Sequence, residues 1–381
     1  MKWRDPTPFL IEKIKLDFVF IVICFALLYM GYNTVKDLTW PYDLDQFRDI
    51  AQTQTILDSG YGRDPYYLNE ATWYNPGLHF LLAALSFLFH TPVPQVIAGF
   101  GPFFIIFAPL AFYYMLKSMF GPWPALIGSS TYLFITNPYP SWATSLYSPF
   151  IFPIIVAQAL LYLIIAFFYK SIKKEPREKD YIILGILLSL TFLINTSSAF
   201  IAGCIIVIFF LGKMKPQMKN PPQTTKTLTP SLKKFLCFAI PAVLISMIFL
   251  CFVVFDYRFK ILNPMPTSWG WEQLTFKGLP GLLKNELLYL PNVIAVFGLL
   301  HLVVKKQDRE ARKIILYWLG TVLAYLSYYL LTLALNSSGI MLSLIVPAHH
   351  FFFFLKALSY VLFGYGTVIL AGLLGKVLEK R

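Results

Sequence analysis

Ten long apolar runs recur along the chain, at 18–32, 96–116, 125–135, 150–169, 181–194, 200–211, 235–255, 289–304, 314–335 and 351–374. Lys356 is the one Lys, Arg, Asp or Glu inside them. Such runs constrain a chain severely, because a segment in hydrocarbon must satisfy its own backbone hydrogen bonds. We therefore expect an all-α polytopic membrane protein with about 10–11 transmembrane helices. Residues 1–381 would form a single transmembrane domain. Only 13% of the residues are charged, against about 25% in soluble proteins. The first run, 18–32, lacks a small-residue cleavage site and reads as a retained span. Cys24, Cys204, Cys237 and Cys251 all lie in or beside apolar runs without CxxC spacing. They read as small hydrophobes.

Residues 76–90 (PGLHFLLAALSFLFH) are apolar but short. Fifteen residues of helix reach about 22 Å, against a core of about 30 Å. Charge decides how to treat them. If 76–90 does not cross, residues 1–17, 117, 170–180, 213–234, 305–313 and 376–381 share one face. That face holds 24 basic and 9 acidic residues, and the other holds 8 and 10. If 76–90 does cross, the basic loops 170–180 and 213–234 fall on the wrong side. We expect ten full spans plus one short helix, with both termini cytoplasmic and the plasma membrane as the likeliest host. The formal charge of +13 is then a signature of orientation. It is not a nucleic-acid footprint.

The outer side would carry two long polar loops, 33–76 and 256–288. The stretch 40–78, most of the first loop with a short extension, holds six of the nineteen acidic residues: Asp43, Asp45, Asp49, Asp58, Asp64 and Glu70. Long loops between spans are commonly functional or disordered, and the many aromatics here argue for a folded loop. Asp43 and Asp45 form an Asp-x-Asp pair just past the first span. In a turn before a helix, two such carboxylates converge on one cation or one hydroxyl. Alternatively, one of them is simply a helix cap. Ile50, Ala51, Ile56 and Leu57 predict an amphipathic helix over about 46–57, with this apolar set as its face. WYNPG (73–77) ends the loop, and Pro76 suits the first turn of a helix.

These residues resemble the GT-C superfamily of membrane glycosyltransferases, which includes protein mannosyltransferases, aminoarabinose transferases and oligosaccharyltransferase catalytic subunits. Asp43, Phe47, Ala51 and Gly60 match its first-loop pattern. Trp73, Tyr74, Asn75 and Pro76 match the element that opens the following helix. The resemblance covers roughly 15–215 by layout. It implies an inverting transferase that takes a sugar from a polyprenyl-phosphate donor on the extracytoplasmic face. The acceptor would be a glycan, a lipid or a protein. Asp43 takes the position of the catalytic carboxylate and Asp45 assists, or the two hold a divalent cation (Mg or Mn). Residues 137–149 contain no acid and no WWDYG element occurs. Together with the few residues after the last span, these departures point away from sequon glycosylation and toward a simpler monosaccharide transferase.

A phosphate leaving group mainly needs positive charge. The outer candidates for binding the donor are Arg48, Arg258, Lys260, His349, His350 and Lys356, with Trp73, Tyr74 and Asn75 lining the site. Lys356 lies inside a span, where ionisable groups are costly and often functional. The partners expected are thus a lipid-linked sugar, membrane lipid and an acceptor, with no nucleic acid. The rival readings are a transporter or flippase of lipid-linked saccharides and a non-catalytic scaffold. No internal repeat supports the transporter. No Walker A, G-x-G-x-x-G, HExxH or Ser-His-Asp signature is present.

Overall fold

The computed structural model describes residues 7–66, 72, 74–135, 146–174, 177–219, 230–256, 278–305, 308–336, 338–340, 346 and 350–379. Trp73, Arg258, Lys260 and His349 lie outside the described residues, as does most of the second long loop. The described residues contain no β-strand. Their helices are α1 (Thr7–Val35), α2 (Leu44–Ser59), α3 (Gly77–Phe89), α4 (Val93–Ile105), α5 (Phe107–Phe120), α6 (Pro122–Phe134), α7 (Pro153–Lys173), α8 (Glu178–Ile194), α9 (Thr196–Lys219), α10 (Pro230–Cys251), α11 (Leu279–Leu288), α12 (Leu290–Lys305), α13 (Arg309–Asn336) and α14 (His350–Leu378). A π-helical turn, Phe252–Asp256, continues α10.

Every apolar run of the sequence lies on helix. By length and composition, seven helical segments can cross a membrane: Lys15–Val35, Val93–Phe120, Pro153–Lys173, Thr196–Lys213, Pro230–Cys251, Arg309–Leu335 and His350–Leu378. Helices α6, α8 and α12 are shorter, at 13, 17 and 16 residues. Run 96–116 is split into α4 and α5 at Ile106. Pro102 and Pro109 flank the break, and each removes an N–H that a continuous helix would use.

Tyr113 and Lys117 of α5 both bond the Asp17 carboxylate of α1. The start of α1 therefore meets the end of α5, so α1 and the α4–α5 pair run antiparallel. The chain from Val35 to Val93 then leaves and returns at one end of the bundle. Helix α3 lies in that stretch. Its 13 residues reach only about 20 Å.

One large apolar core runs through the middle of the bundle and includes Phe112, Tyr162, Trp318, Phe351 and Phe354. A smaller one, Leu78, Leu82, Val93, Val96, Ile97 and Ile151, seats α3 on α4. Glycines let α14 approach its neighbours backbone to backbone. A Cβ on Gly364 would stand 2.3 Å from the Pro124 carbonyl oxygen on α6, and one on Gly366 2.5 Å from that of Ile294 on α12. Small residues at such crossings are what membrane helix packing requires.

Candidate functional site

Helix α2 is amphipathic, and the stripe it buries is polar. Its buried residues are Gln46, Asp49, Gln52 and Thr53, a stripe at i, i+3, i+6 and i+7 that lies on one helix face. Leu44 is 84% exposed while Asp49 is 1% exposed. Of the predicted apolar face, Ile50 packs on the small core and Leu57 is exposed. The reason lies in what α2 rests on. Its underside meets backbone carbonyls and polar side chains of neighbouring segments, and those select polar residues. Gln46 donates to the Ile151 carbonyl across 3.2 Å, and Thr72 bonds Gln52 across 3.1 Å.

Asp43 is the N-cap of α2. Its Oδ1 accepts the Asp45 N–H at 2.9 Å, and no hydrogen bond to its other oxygen occurs among the described residues. Asp45 stands in the first turn, exposed, 3.3 Å from Arg48 Nη1. Desolvation raises its pKa above the usual carboxylate range; Arg48 opposes this, and Asp43 and Asp49 add to it. Its side chain is 63% exposed, which keeps that displacement small. Gly60 ends α2 with φ 81° and its N–H on the Ile56 carbonyl. The glycine of the first-loop pattern thus occupies the left-handed position that a helix C-terminus favours.

Below the cap lies a buried group that the sequence reading did not single out. Asp49 and His79 are both 2% exposed as side chains, with His79 Nε2 3.2 Å from Asp49 Oδ1. His79 Nδ1 is 3.1 Å from the Asn75 carbonyl oxygen. The ring thus bridges the Asn75 backbone and the Asp49 carboxylate. Arg48 Nε is 3.6 Å from Asp49 Oδ1, and the guanidinium carbon sits 4.4 Å above the Tyr74 ring. Burial keeps the Tyr74 phenol protonated.

The WYNPG element fixes this group to the bundle. Asn75 Nδ2 donates to the Phe192 carbonyl at 2.7 Å and to Thr196 Oγ1 at 3.1 Å. Gly77 permits that approach, since a Cβ there would lie 2.9 Å from the Leu193 carbonyl. The next residue of the same turn, Ser197, bonds His350 Nδ1 at 2.6 Å. The α8–α9 turn thus joins Asn75 to the start of α14. Lys356 is buried, and Glu286 of α11 is the charged group acting on it.

Three buried oxygens on or beside the polar stripe, Gln46 Oε1, Asp49 Oδ2 and Thr53 Oγ1, have no hydrogen-bond partner among the described residues. Leaving such atoms unsatisfied costs about 1–3 kcal/mol each. Asp49 was legible in principle, because Gln46, Asp49 and Thr53 recur at helical spacing. His79 carried no local signal beyond its place two residues into α3.

As a cation site, the first-loop pair is thin. Asp43 is committed as a cap and Asp45 is paired with Arg48. Hard divalent ions take six or more oxygen ligands. No group of three or more His, Cys, Asp or Glu suited to a metal occurs among the described residues. The residues present do not by themselves fit a divalent cation.

The fold is that of an all-α polytopic membrane protein. Among solved structures, the chain is similar to the oligosaccharyltransferase of Archaeoglobus fulgidus in complex with zinc and sulfate, at 15% identity and TM-score 0.56, covering 93% of this chain and 49% of that one. It is also similar to the archaeal oligosaccharyltransferase AglB from the same organism, in complex with an inhibitory peptide and a dolichol-phosphate, at 13% identity and TM-score 0.57, covering 95% and 51%. The apo form matches at 14% identity and TM-score 0.54, covering 96% and 52%. The chain spans about half the length of these proteins. At such identities the likeness concerns the fold. No family model matches the chain, and no curated protein does.

Proposed function

We propose that this protein is a membrane glycosyltransferase that moves a sugar from a polyprenyl-phosphate donor to an acceptor on the extracytoplasmic face. One observation carries the reading. At one end of a GT-C-type bundle, the α2–α3 segment, the α8–α9 turn and the start of α14 are tied together by Asn75 and Ser197. That juxtaposition gathers Asp43, Asp45, Arg48, Tyr74 and His350 on neighbouring elements. A fold neighbour that binds a dolichol-phosphate supports a lipid-linked donor. The positive-inside count supports the outer face and cytoplasmic termini.

The chemistry is a single displacement. The Asp43 carboxylate takes the proton of the acceptor hydroxyl as its oxygen attacks the anomeric carbon. The bond from that carbon to the phosphate oxygen breaks, and polyprenyl phosphate leaves with the electron pair. Asp45 assists by holding the acceptor. Tyr74 and Asn75, with Trp73, line the site. Cations among Arg48, Arg258, Lys260, His349, His350 and Lys356 stabilise the departing phosphate. No step is routed through a metal. The acid-free second outer segment, 137–149, favours a monosaccharide donor. The test is transfer of labelled sugar from polyprenyl-phosphate donors by the purified protein in lipid nanodiscs, with and without chelator. Label in the acceptor is expected.

A further inference from the structure

Arg48 is the described cation beside the candidate carboxylates. Three contacts orient it, and its buried Nε makes no hydrogen bond among the described residues. Nε faces the buried Asp49 at 3.6 Å, Nη1 reaches the exposed Asp45 at 3.3 Å, and the plane lies 4.4 Å over Tyr74. These contacts differ in strength. Asp49 is almost fully buried, and its pairing is little screened. Asp45 is 63% exposed as a side chain, and such pairs are weak and easily exchanged. Nη2 has no hydrogen bond or ion pair among the described residues. The guanidinium is therefore anchored from behind and offers its Nη1–Nη2 edge outward. Two parallel N–H donors on that edge match two oxygens of a phosphate.

The buried carboxylate behind Arg48 is shared: His79 Nε2 lies 3.2 Å from the same Asp49 oxygen that Arg48 Nε faces. Asn75 completes the arrangement, its carbonyl oxygen lying 3.1 Å from the other nitrogen of His79.

We propose that Arg48 receives the phosphate monoester of the lipid-linked donor and that Asp49 and His79 are its positioning residues. This deepens the transferase reading above and rests on it. Asp49 sets the direction of the guanidinium, and His79 holds Asp49 in place.

Binding, measured apart from sugar transfer, tests this. The full-length protein in nanodiscs is titrated with a short-chain polyprenyl monophosphate carrying no sugar, and in parallel with inorganic phosphate and phosphatidylglycerol. Wild type should prefer the polyprenyl phosphate. Arg48→Ala should weaken it about tenfold or more, as expected for a lost charge-assisted pair. His79→Gln removes the ring that bridges Asn75 and Asp49, and should weaken binding several-fold. In the Arg48→Ala background, His79→Gln should change nothing further. Thermal unfolding of each variant shows that it is folded. Polyprenyl phosphate affinity that survives Arg48→Ala overturns the assignment alone. Equal loss from His79→Gln in both backgrounds overturns the positioning role. Equal affinity for inorganic phosphate or phosphatidylglycerol overturns the lipid-carrier specificity. A wild-type protein that binds no polyprenyl phosphate overturns the transferase reading itself.

Discussion

Asp43 combines a structural task with the proposed chemical one. One oxygen caps α2, and the other is the candidate base. Asparagine caps a helix about as well as aspartate, whereas alanine costs about 1 kcal/mol at such a position. Asp43→Asn therefore separates the two tasks. We expect it to lower initial transfer rates at least about 100-fold, the lower end for loss of a general base. Its unfolding temperature should stay close to wild type. Near-normal turnover with an unchanged unfolding temperature would remove Asp43 from the chemistry. Asp43 stood out in the sequence because it is an acid at the exit of an apolar span. Asp49 did not, although it is the buried one. It lies among other acids of one loop, and burial is not written in residue type.

At the level of elements, the helices followed from apolar run length, and their faces did not. Ile50, Ala51, Ile56 and Leu57 predict an amphipathic α2, and the residues it buries are Gln46, Asp49, Gln52 and Thr53. Hydrophobic patterning reports burial only when the partner surface is apolar. Here the partners are the Ile151 carbonyl, Thr72 and His79. At the other end of the bundle, Asp308 accepts the Glu310 and Ala311 N–H groups at 3.1 and 3.0 Å at the start of α13. Lys173 and Tyr169 also bond it. Burial pushes its pKa up, but the Ala311 N–H, Lys173 and Tyr169 outweigh this and hold it below the usual range. A depressed carboxylate pKa stabilises the fold above the unfolded value of about 3.9, and that stability is lost as pH falls through the folded value. Asp308→Asn should lower stability by about 1 kcal/mol at pH 7. The gap to wild type should close below about pH 4. Denaturant unfolding across that pH range measures it, and a gap independent of pH would contradict the ionised cap.

Across the whole molecule, the all-α polytopic character was legible from the apolar runs. The antiparallel α1 and α4–α5 pair, joined at Asp17, agrees with a short α3 that does not cross. The close helix approaches were not legible, since a glycine in an apolar run says nothing of what it faces. Gly366 leaves 2.5 Å between a would-be Cβ and the Ile294 carbonyl oxygen, whereas Gly372 has nothing within 4 Å. Gly366→Leu should destabilise the detergent-solubilised protein by about 1–3 kcal/mol or more, as overpacking does. Gly372→Leu should leave it unchanged. Equal thermal unfolding of the two variants would contradict the α12–α14 packing.

The central claim is that the α2–α3 end of this bundle transfers sugar from a lipid-linked phosphate. Its most direct test is a donor screen in proteoliposomes, with polyprenyl phosphates carrying different labelled monosaccharides and a mixed pool of glycan, lipid and peptide acceptors. We predict that label from at least one donor moves to an acceptor and that unglycosylated polyprenyl phosphate is released in equal amount. Labelled donor that crosses the bilayer intact, with no carrier released, would contradict the claim and identify a flippase.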